Sequence, residues 1–283
     1  MAAHRLTYSV VLMCKTLGVS KSGFYKWKKE APERGLREQE RVNNIKEVHS
    51  DSRGTYGSPR VEQELRKRGI NYNHKSIEKL MQQNGLRSKQ SKKFKATTNS
   101  KHKMPVAENV LQRDFHKTTA NQAWVSDITY IWTDEGWLYL VVFIDLWSRR
   151  VIGWSMSDRM QSEFVRDAFL MACQRRNMSV NDLLVHSDRG SQFASDLFKG
   201  ILAEMICKQS MSRKGNCWDN AVAESFFGSL KKELIHHERY KTREQARTAI
   251  FDYIEVFYNR NRIHSTLNYL TPEEFERKME TAA

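Results

Sequence analysis

Three acidic residues, Asp127, Asp188 and Glu224, have the types and spacing that best fit a catalytic role in this sequence. Asp127 lies in the alternating segment AWVSDITYI, where an acid is unusual because Asp is depleted in strands and a buried carboxylate needs a partner or a metal. Asp188 directly follows the apolar segment LLVHS, and ligand sites commonly lie just beyond the carboxyl ends of strands. A simple turn role beside Gly190 is the alternative for Asp188.

Glu224 belongs to the segment DNAVAESFFGSLKKEL, which has the periodicity of a helix. The expected core stripe of this helix consists of apolar residues spaced by four: Val222, Phe226, Leu230 and Leu234. Glu224 lies about 200° around the helix from Val222 and shares its face with Asn220 and Lys231. Taken alone, Glu224 fits a solvated surface residue better than a ligand.

Together the three acids form a pattern that none of them forms alone. Two Asp residues on strands and a Glu on a later helix can converge at one edge of a sheet. Their hard oxygen atoms suit Mg²⁺ or Mn²⁺. Two such ions, roughly 3.5–4 Å apart, activate a water or hydroxyl and stabilise the leaving oxygen at a phosphodiester. The pattern therefore indicates metal-dependent chemistry on nucleic acid.

An α/β sheet flanked by helices is predicted to position these acids. The segments AWVSDITYI, WLYLVVFID and RRVIGWSMS predict three consecutive strands, with a hairpin turn at TDEG. A helix at about 161–176, the strand LLVHSD, the helix ASDLFKGILAEMI and the strand KQSMS precede the Glu224 helix, and an amphipathic helix covers 243–259. Four tryptophans are expected in the core: Trp124, Trp137, Trp147 and Trp154.

The excess of basic over acidic residues is confined to the first part of the chain. Residues 1–120 contain 26 Lys and Arg against 11 Asp and Glu, whereas residues 121–283 contain 21 against 22. Solubility does not require such segregation, which favours a polyanion-binding arm joined to a nearly neutral body. Apolar runs stay well short of the roughly 20 residues that span a membrane, and the N-terminus lacks a signal-peptide cleavage site. We therefore expect a cytoplasmic protein without a membrane partner.

Two helical units are predicted in the basic part. The segment VLMCKTLGVSKSGFYKWK predicts a helix, a turn and a second helix capped by Ser20, the pattern of a helix-turn-helix. The segments RVEQELRKRG and SIEKLMQQNG repeat this pattern, with a plain helical hairpin as the alternative. The expected division is a helix-turn-helix at 1–50, a second helical DNA-binding unit at 51–86, a basic linker at 87–120 and a catalytic domain with C-terminal helices at 121–283.

Candidate DNA contacts come from cations in the basic part and in the later motif YNRNRIHSTLNY. They are Lys21, Lys26, Arg60, Lys75, Lys92, Lys93, Lys95, Arg260 and Arg262. For Arg260 and Arg262, docking between domains is an equal alternative.

Five segments resemble those of bacterial insertion-sequence transposases in the retroviral-integrase superfamily. They are WVSDITYI, FIDLWSRRVIGW, HSDRGSQF, DNAVAESFFGSLKKE and YNRNRIHSTLNYLTPEEF, in this order. Sixty residues separate Asp127 from Asp188, and 35 separate Asp188 from Glu224. The sequence is most similar to the second-reading-frame product of two-frame insertion sequences, over nearly the whole chain.

This resemblance implies a ribonuclease-H-like mixed sheet flanked by helices and preceded by an all-α helix-turn-helix region. It implies that Asp127, Asp188 and Glu224 bind two Mg²⁺ ions, for which Mn²⁺ can substitute. It implies cleavage at transposon ends and attack of the freed 3′-hydroxyl on target DNA, with Lys231 contacting terminal DNA. The implied partners are the terminal inverted repeats, the target DNA, further copies of the chain assembled on DNA, and a protein of the upstream frame, fused or separate.

Other residues have weaker claims to the site. His186 alternates onto the strand face of Asp188, where it orients a carboxylate, approaches the scissile phosphate or is simply structural. Asn220 supports the metal site or caps the helix, and capping beside Asp219 is favoured. A turn role is favoured for Asp145.

Two other functions are compatible with parts of this pattern. One is a ribonuclease-H-like nuclease that cleaves without strand transfer, for which two helix-turn-helix units are unnecessary. The other is a DNA-binding regulator with a silent catalytic domain, against which the intact acids argue.

Overall fold

The structure is a computed structural model that describes residues 1–89, 105–177 and 182–281. The chain divides into two compact units, Met1–Ser88 and Lys89–Ala283. Lys92, Lys93 and Lys95, predicted to contact DNA, lie outside the described residues. None of the helices in the described part of the chain is both long and apolar enough to cross a membrane.

The first unit is all-helical. After a 3-10 turn at Ala2–His4, its helices are α1 (Val10–Leu17), α2 (Lys21–Asp51), α3 (Ser58–Lys67) and α4 (His74–Gln83). Gly18 ends α1 in the left-handed conformation (φ +64°), which suits a residue without Cβ. The Ser20 side chain then accepts a hydrogen bond from the Gly23 amide at 3.0 Å, so the predicted cap of the second helix is confirmed.

The second helix is longer than the sequence pattern suggested, because it runs on to Asp51. It passes through Pro32, and it is rich in strong helix formers with i,i+4 ion pairs such as Arg37–Glu33. Its later part buries Ile45 and Val48 and packs with α3 and α4, so tertiary packing stabilises the extension.

The helices α3 and α4 match the predicted second helical pair. They bury Val61 and Leu65 on α3 and Ile77, Leu80 and Met81 on α4. Their buried positions recur at helical spacing, so each helix turns one apolar stripe inward.

The second unit is built on a mixed five-stranded sheet in the order β3-β2-β1-β4-β5. The strands are β1 (Ala123–Thr133), β2 (Gly136–Asp145), β3 (Val151–Ser157), β4 (Leu184–Ser187) and β5 (Lys208–Met211). The first three are antiparallel neighbours, whereas β4 is parallel to β1 and β5 is parallel to β4. This arrangement confirms the expected ribonuclease-H-like sheet.

Helices cover both faces of the sheet. They are α5 (Ser162–Arg175), α6 (Asp196–Glu204), α7 (Ala221–Glu233), α8 (Arg243–Phe251) and α9 (Pro272–Glu280), and a π-helical segment (Asp252–Tyr258) continues α8. Along β1, Trp124 is buried with α5 and α6, whereas Val125 is buried with α7 and α8. Each face therefore has its own apolar core, as the alternation of strand side chains requires.

The tryptophans are not all in these cores. Trp124 is fully buried, and Trp147 and Trp154 are half-buried. Trp137 was expected in the core, but it is 42% exposed. It is the second residue of β2, beside the hairpin turn, and its ring packs edge-to-face on Tyr130 and Trp132. Its position at the end of the strand explains the difference.

Candidate active site

Asp127, Asp188 and Glu224 line one open pocket of about 250 Å³. The pocket is completed by Arg189, Ser212, Arg213, Lys214, Gly215, Asn216 and Asn220. Its volume is enough for several small ligands or waters, since a water occupies about 30 Å³ in the liquid. The structure thus brings together all three acids that the sequence singled out.

The pairing of β1 with β4 places the two aspartates side by side. Ser126 on β1 is in register with Ser187, the last residue of β4, and the strands are parallel. Asp127 on β1 and Asp188, directly after β4, are the residues that follow this pair. Asp188 Oδ1 accepts a hydrogen bond from the Gly190 amide at 2.9 Å. This bond stabilises the turn at Gly190, the role that was the alternative to metal binding for Asp188. Asp188 therefore shapes the turn and also faces the pocket.

Glu224 reaches the pocket from the first turn of α7, and its side chain is exposed. The buried stripe of this helix is Ala223, Phe226, Phe227 and Leu230, slightly rotated from the predicted one. The negative charge of Glu224 at the N-terminal end is also favourable to the helix dipole. The prediction that Glu224 is solvated is therefore confirmed, and its side chain is exposed to the solvent within the pocket.

Burial and mutual repulsion raise the pKa values of two of the acids. The pKa of Asp127 lies well above its usual range, first because of burial and then because of the charge of Asp188, with a smaller contribution from Glu224. The pKa of Glu224 is also raised, by partial desolvation of its carboxyl group within the pocket and by the charge of Asp188. Lys231 opposes these effects by lowering the pKa of Asp127. The three acids therefore repel one another within the pocket, and a cation bound between them would relieve that repulsion.

The donor atoms fit a hard divalent cation, because all three side chains offer carboxylate oxygens. As they stand, however, the described residues contain no group of three or more His, Cys, Asp or Glu side chains that could hold a metal ion. The three carboxylates line one pocket without closing around a single point. The chemistry of the donor set therefore fits, and a closed coordination shell requires the side chains to approach one another.

Asn220 connects the strand of Asp127 to the helix of Glu224. Its Nδ2 donates to the Ser126 carbonyl oxygen at 3.0 Å, and its buried Oδ1 has no hydrogen-bond partner among the described residues. Although Asn220 occupies the N-cap position of α7, its side chain makes no capping bond within this part of the chain. The favoured capping interpretation is therefore wrong, because the amide is used to join β1.

His186 is buried, and its ring contacts two serine hydroxyls. Its Nδ1 lies 2.8 Å from the Ser210 hydroxyl and its Nε2 lies 3.2 Å from the Ser212 hydroxyl. Burial lowers the pKa of His186 to about 4, so the ring is neutral near pH 7. Ser210 on β5 and Ser212 just after it occupy both ring nitrogens, which favours the structural role of His186 among the predicted alternatives.

Lys231 lies two turns after Glu224, with its ammonium 5.3 Å from the centre of the Tyr130 ring. Burial lowers its pKa, whereas the charge of Asp127 raises it. Glu224 and Lys231 are predicted to share one face of the helix, and the charges of both act on Asp127.

Basic residues on two loops, one after β4 and one before α7, also line the pocket; sequence reasoning missed them, and we call them its cationic wall. They are Arg189, Arg213 and Lys214, and Arg189 Nε donates to the Ser212 carbonyl oxygen at 2.7 Å. The adjacent pair Arg213-Lys214, followed by Gly215 and placed ten residues before the Glu224 region, was the available sign in the sequence. The pocket is therefore lined by both carboxylates and cations, a combination that suits a metal-bound phosphate.

Asp219 anchors the loop before α7, and sequence reasoning missed this role as well. Its buried carboxylate accepts hydrogen bonds from the side chains of Arg113 and Arg213 at 2.8 Å, and from Asn109 at 2.9 Å. The Arg213 guanidinium is the main reason that the pKa of Asp219 lies far below its usual range. One carboxylate thus ties residues 109–113 to the loop before α7.

We expect Asp219→Asn to lower the free energy of unfolding by about 2 kcal/mol, because hydrogen bonds to charged groups contribute roughly 1.5–3 kcal/mol. Any activity of the pocket should fall as well, since the loop loses its anchor. Urea denaturation of the purified chain measures the first effect. The exposed Asp158, replaced by Asn, is the matched control and should change stability little. Equal stability of the two variants would show that Asp219 does not hold the loop.

The two arginines of the YNRNRIHSTLNY motif occupy different environments. Arg260 is exposed and pairs with Glu273 at 3.3 Å. Arg262 is buried and bonds Glu233 on α7 at 2.7 Å. The prediction that Arg262 contacts DNA is corrected, because its guanidinium is already engaged inside the fold; docking of the C-terminal segment is its role. Asp145 accepts the Trp147 amide hydrogen at 3.0 Å, in agreement with a turn role.

The predicted contacts of the first unit lie on its surface to different degrees. Lys21, Lys26 and Lys75 are exposed. Arg60 is half-buried, with its guanidinium 5.7 Å from the centre of the Tyr56 ring. Their contacts with DNA stay predictions.

Comparison with known families assigns the two units separately. Residues 117–217 and 224–279 match two families, each described as "Integrase core domain". Residues 36–94 match a family described as "HTH-like domain". This second match begins within α2 and includes α3 and α4, later than the first predicted helix-turn-helix.

The chain is similar over nearly its full length to transposases. It is 45% identical over 278 residues to "Transposase InsF for insertion sequence IS3A" of Escherichia coli K12, covering 97% of this chain and 96% of that protein. It is 42% identical over 267 residues to "Insertion element IS600 uncharacterized 31 kDa protein" of Shigella sonnei, covering 94% of this chain and 98% of that protein.

Solved structures with lower similarity include retroviral proteins. The simian T-cell lymphotropic virus intasome in complex with PP2A regulatory subunit B56 gamma has a TM-score of 0.46 and 16% identity, covering 76% of this chain and 70% of that chain. The HTLV-2 integrase catalytic core domain in complex with magnesium has a TM-score of 0.42 and 19% identity, covering 56% of this chain and 97% of that chain.

Proposed function

The chain belongs to the family of insertion-sequence transposases with an integrase core domain, and we propose that it cuts the ends of its element and joins the freed 3′-hydroxyls to target DNA. The observation that carries this proposal is the meeting of Asp127, Asp188 and Glu224 in one pocket with a cationic wall. This is a DDE-type active site, named for its two aspartates and one glutamate.

The proposed site divides its tasks between the carboxylates and the cationic wall. Asp127, Asp188 and Glu224 would hold Mg²⁺ or Mn²⁺, two ions in the full site, which supply a Lewis acid that activates a water or hydroxyl and stabilises a leaving oxygen. Arg189 and Arg213 line the same pocket and would neutralise phosphate charge. Asn220 keeps the strand of Asp127 in place relative to the helix of Glu224.

We propose that the first unit binds the terminal inverted repeats. The match of this unit to the HTH-like family and its exposed lysines support DNA binding. The excess of basic residues before residue 121 attracts phosphates over a longer range. Pairing of two transposon ends then assembles several copies of the chain on DNA in the cytoplasm, at the nucleoid, and an upstream-frame protein contributes further contacts. In this scheme the DNA-binding units are residues 1–50 and 51–86. Residues 87–120 form the linker, and residues 121–283 form the catalytic domain.

The proposal is tested with a labelled duplex that carries the terminal repeat found beside the gene, incubated with the full chain and Mg²⁺. Nicked ends together with joined products are expected. Cleavage without joined products would instead support a ribonuclease-H-like nuclease. Metal-independent binding with neither product would support a DNA-binding regulator. Omission of the metal is the control, and it should remove both products while binding persists.

Lys231 offers a sharper test of DNA contact near the carboxylates. We expect Lys231→Gln to weaken binding of a terminal-repeat duplex about tenfold, which corresponds to about 1.4 kcal/mol. Its neighbour Lys232 is exposed on another face of α7, so Lys232→Gln is the matched control and should stay within about twofold. Fluorescence anisotropy at fixed salt measures both. Equal losses in the two variants would mean that general charge, not the position of Lys231, matters.

A further inference from the structure

An exposed aromatic cluster lies at the hairpin end of β1 and β2. Trp132 is 58% exposed and Trp137 is 42% exposed. Their ring centroids are 4.8 Å apart at an interplanar angle of 76°, and Tyr130 meets Trp137 edge-to-face at 5.0 Å. Such large rings are normally buried, and a cluster of them at the surface marks an interaction site.

These rings form one side of a concavity of about 300 Å³, which we call the hairpin pocket. The hairpin pocket is lined by Tyr130, Ile131, Trp132, Trp137, Lys231, Ile235, His236, Glu238, Arg239 and Tyr240. Its volume is at the lower end of that of small-molecule sites, roughly 300–1,000 Å³, which suits one planar ring system rather than a folded partner.

Cations stand beside the aromatic rings. The Lys231 ammonium lies 5.3 Å from the centre of the Tyr130 ring. Arg239 is 84% exposed in its side chain and pairs with Asp134 at 3.2 Å, a surface ion pair that contributes at most about 1 kcal/mol and readily exchanges for a phosphate. The pocket therefore joins stacking surfaces to positive charge, the combination that binds unpaired nucleotides.

Polar groups capable of meeting a base edge are also present. The Tyr240 hydroxyl is buried, and it makes no hydrogen bond of ordinary length to the described residues. Burial and the nearby Glu238 raise the pKa of Tyr240, so it stays a neutral donor. The Glu238 carboxylate is an acceptor for an exocyclic amino group.

Lys231 connects the hairpin pocket to the carboxylates, because its charge acts on Asp127 while its ammonium lies over Tyr130. We propose that the hairpin pocket binds one unpaired DNA base next to the scissile phosphate, with the base on the tryptophan rings and the backbone phosphate beside Lys231 and Arg239. This inference rests on the proposed function, since only a strand that enters the carboxylate site brings a base to this position. The pocket keeps the strand end frayed and fixes its path.

The test uses the full chain without divalent metal. The extended duplex has 20 base pairs and three unpaired nucleotides at one end, one of them 5-iodouracil, and the blunt duplex lacks the unpaired nucleotides. Crosslinks should map to residues 130–137. The double variant Trp132→Ala/Trp137→Ala should bind this duplex about tenfold or more weakly, since stacking on an aromatic side chain is worth that much per base. Its affinity for the blunt duplex should change less than twofold.

Two further variants separate stacking from loss of structure. Trp132→Phe keeps an aromatic face and should bind the extended duplex within about threefold of the unmodified chain. Phe251, 49% exposed and outside both pockets, is the matched control, and Phe251→Ala should bind both duplexes normally. Equal losses on blunt and extended duplexes, or crosslinks that map only outside 130–137, would overturn the inference.

The same samples distinguish this inference from the proposed function. After Mg²⁺ is added, cleavage and joining without a crosslink at 130–137 contradict the hairpin pocket and support the transposase chemistry. A crosslink there, without cleavage by the unmodified chain, contradicts the chemistry and supports base binding by the pocket.

Discussion

Asp127→Asn is expected to lower metal-dependent cleavage and strand transfer by at least about a thousandfold, while DNA binding stays intact. A metal site supplies several kcal/mol of transition-state stabilisation, and each 1.36 kcal/mol is a factor of ten. The amide keeps the size of the side chain but removes a charge that Mg²⁺ prefers. Binding survives because the substitution also removes negative charge from a surface that meets phosphates. Asp188→Asn is expected to behave in the same way.

Metal-dependent stabilisation tells a lost metal ligand from a distorted fold. Mg²⁺ or Mn²⁺ should raise the melting temperature of the unmodified chain more than that of Asp127→Asn, because an ion stabilises the state that binds it. In metal-free buffer the variant should be at least as stable, since ionised Asp127 is buried beside Asp188.

Asp167 provides the matched control for this substitution. It is an exposed aspartate on α5, outside both pockets and paired with Arg166 at 2.8 Å. Asp167→Asn should therefore cleave and join at the normal rate and keep its full response to metal. Full activity of Asp127→Asn would refute the assignment of the metal site to these acids.

Local patterns were sufficient to predict the elements that carry the acids. The alternation around Asp127, the apolar run of β2 and the short segment before Asp188 each depend on neighbours within a few residues. The helical phase of Glu224 and Lys231 is local in the same sense. For these residues the sequence predicted the element that carries each of them, and the structure has those elements.

The errors concern side chains whose partners are distant in the sequence. Asn220 bonds the Ser126 carbonyl oxygen, and Arg262 bonds Glu233. No pattern around Asn220 or Arg262 specifies these contacts, because they depend on how α7 and the C-terminal segment pack. Trp137 was assigned to the core by its type, although its place beside the hairpin turn leaves it partly exposed.

The position of α5 on the sheet depends on a glycine whose importance is also invisible in the sequence. Gly153 lies on β3, and a Cβ added there would stand 2.1 Å from the Ala168 carbonyl oxygen and 2.8 Å from the Ala172 Cβ. Real Cβ contacts stay above 3.0 Å, and the first of these atoms is backbone, which cannot turn aside. A methyl group at residue 153 therefore has to push α5 away from the sheet.

We expect Gly153→Ala to lower the free energy of unfolding by about 3 kcal/mol or more, at the upper end for overpacked cores. The matched control is Gly200 within α6, where an added Cβ meets nothing within 4 Å. Gly200→Ala should raise stability by roughly 0.5–1 kcal/mol, because alanine restricts the unfolded chain and favours helix. Urea denaturation followed by tryptophan fluorescence measures both. Since α5 covers the face that buries Trp124 on β1, three residues before Asp127, activity should fall together with stability in the first variant alone. An unchanged midpoint for Gly153→Ala would mean that α5 does not pack so closely on β3.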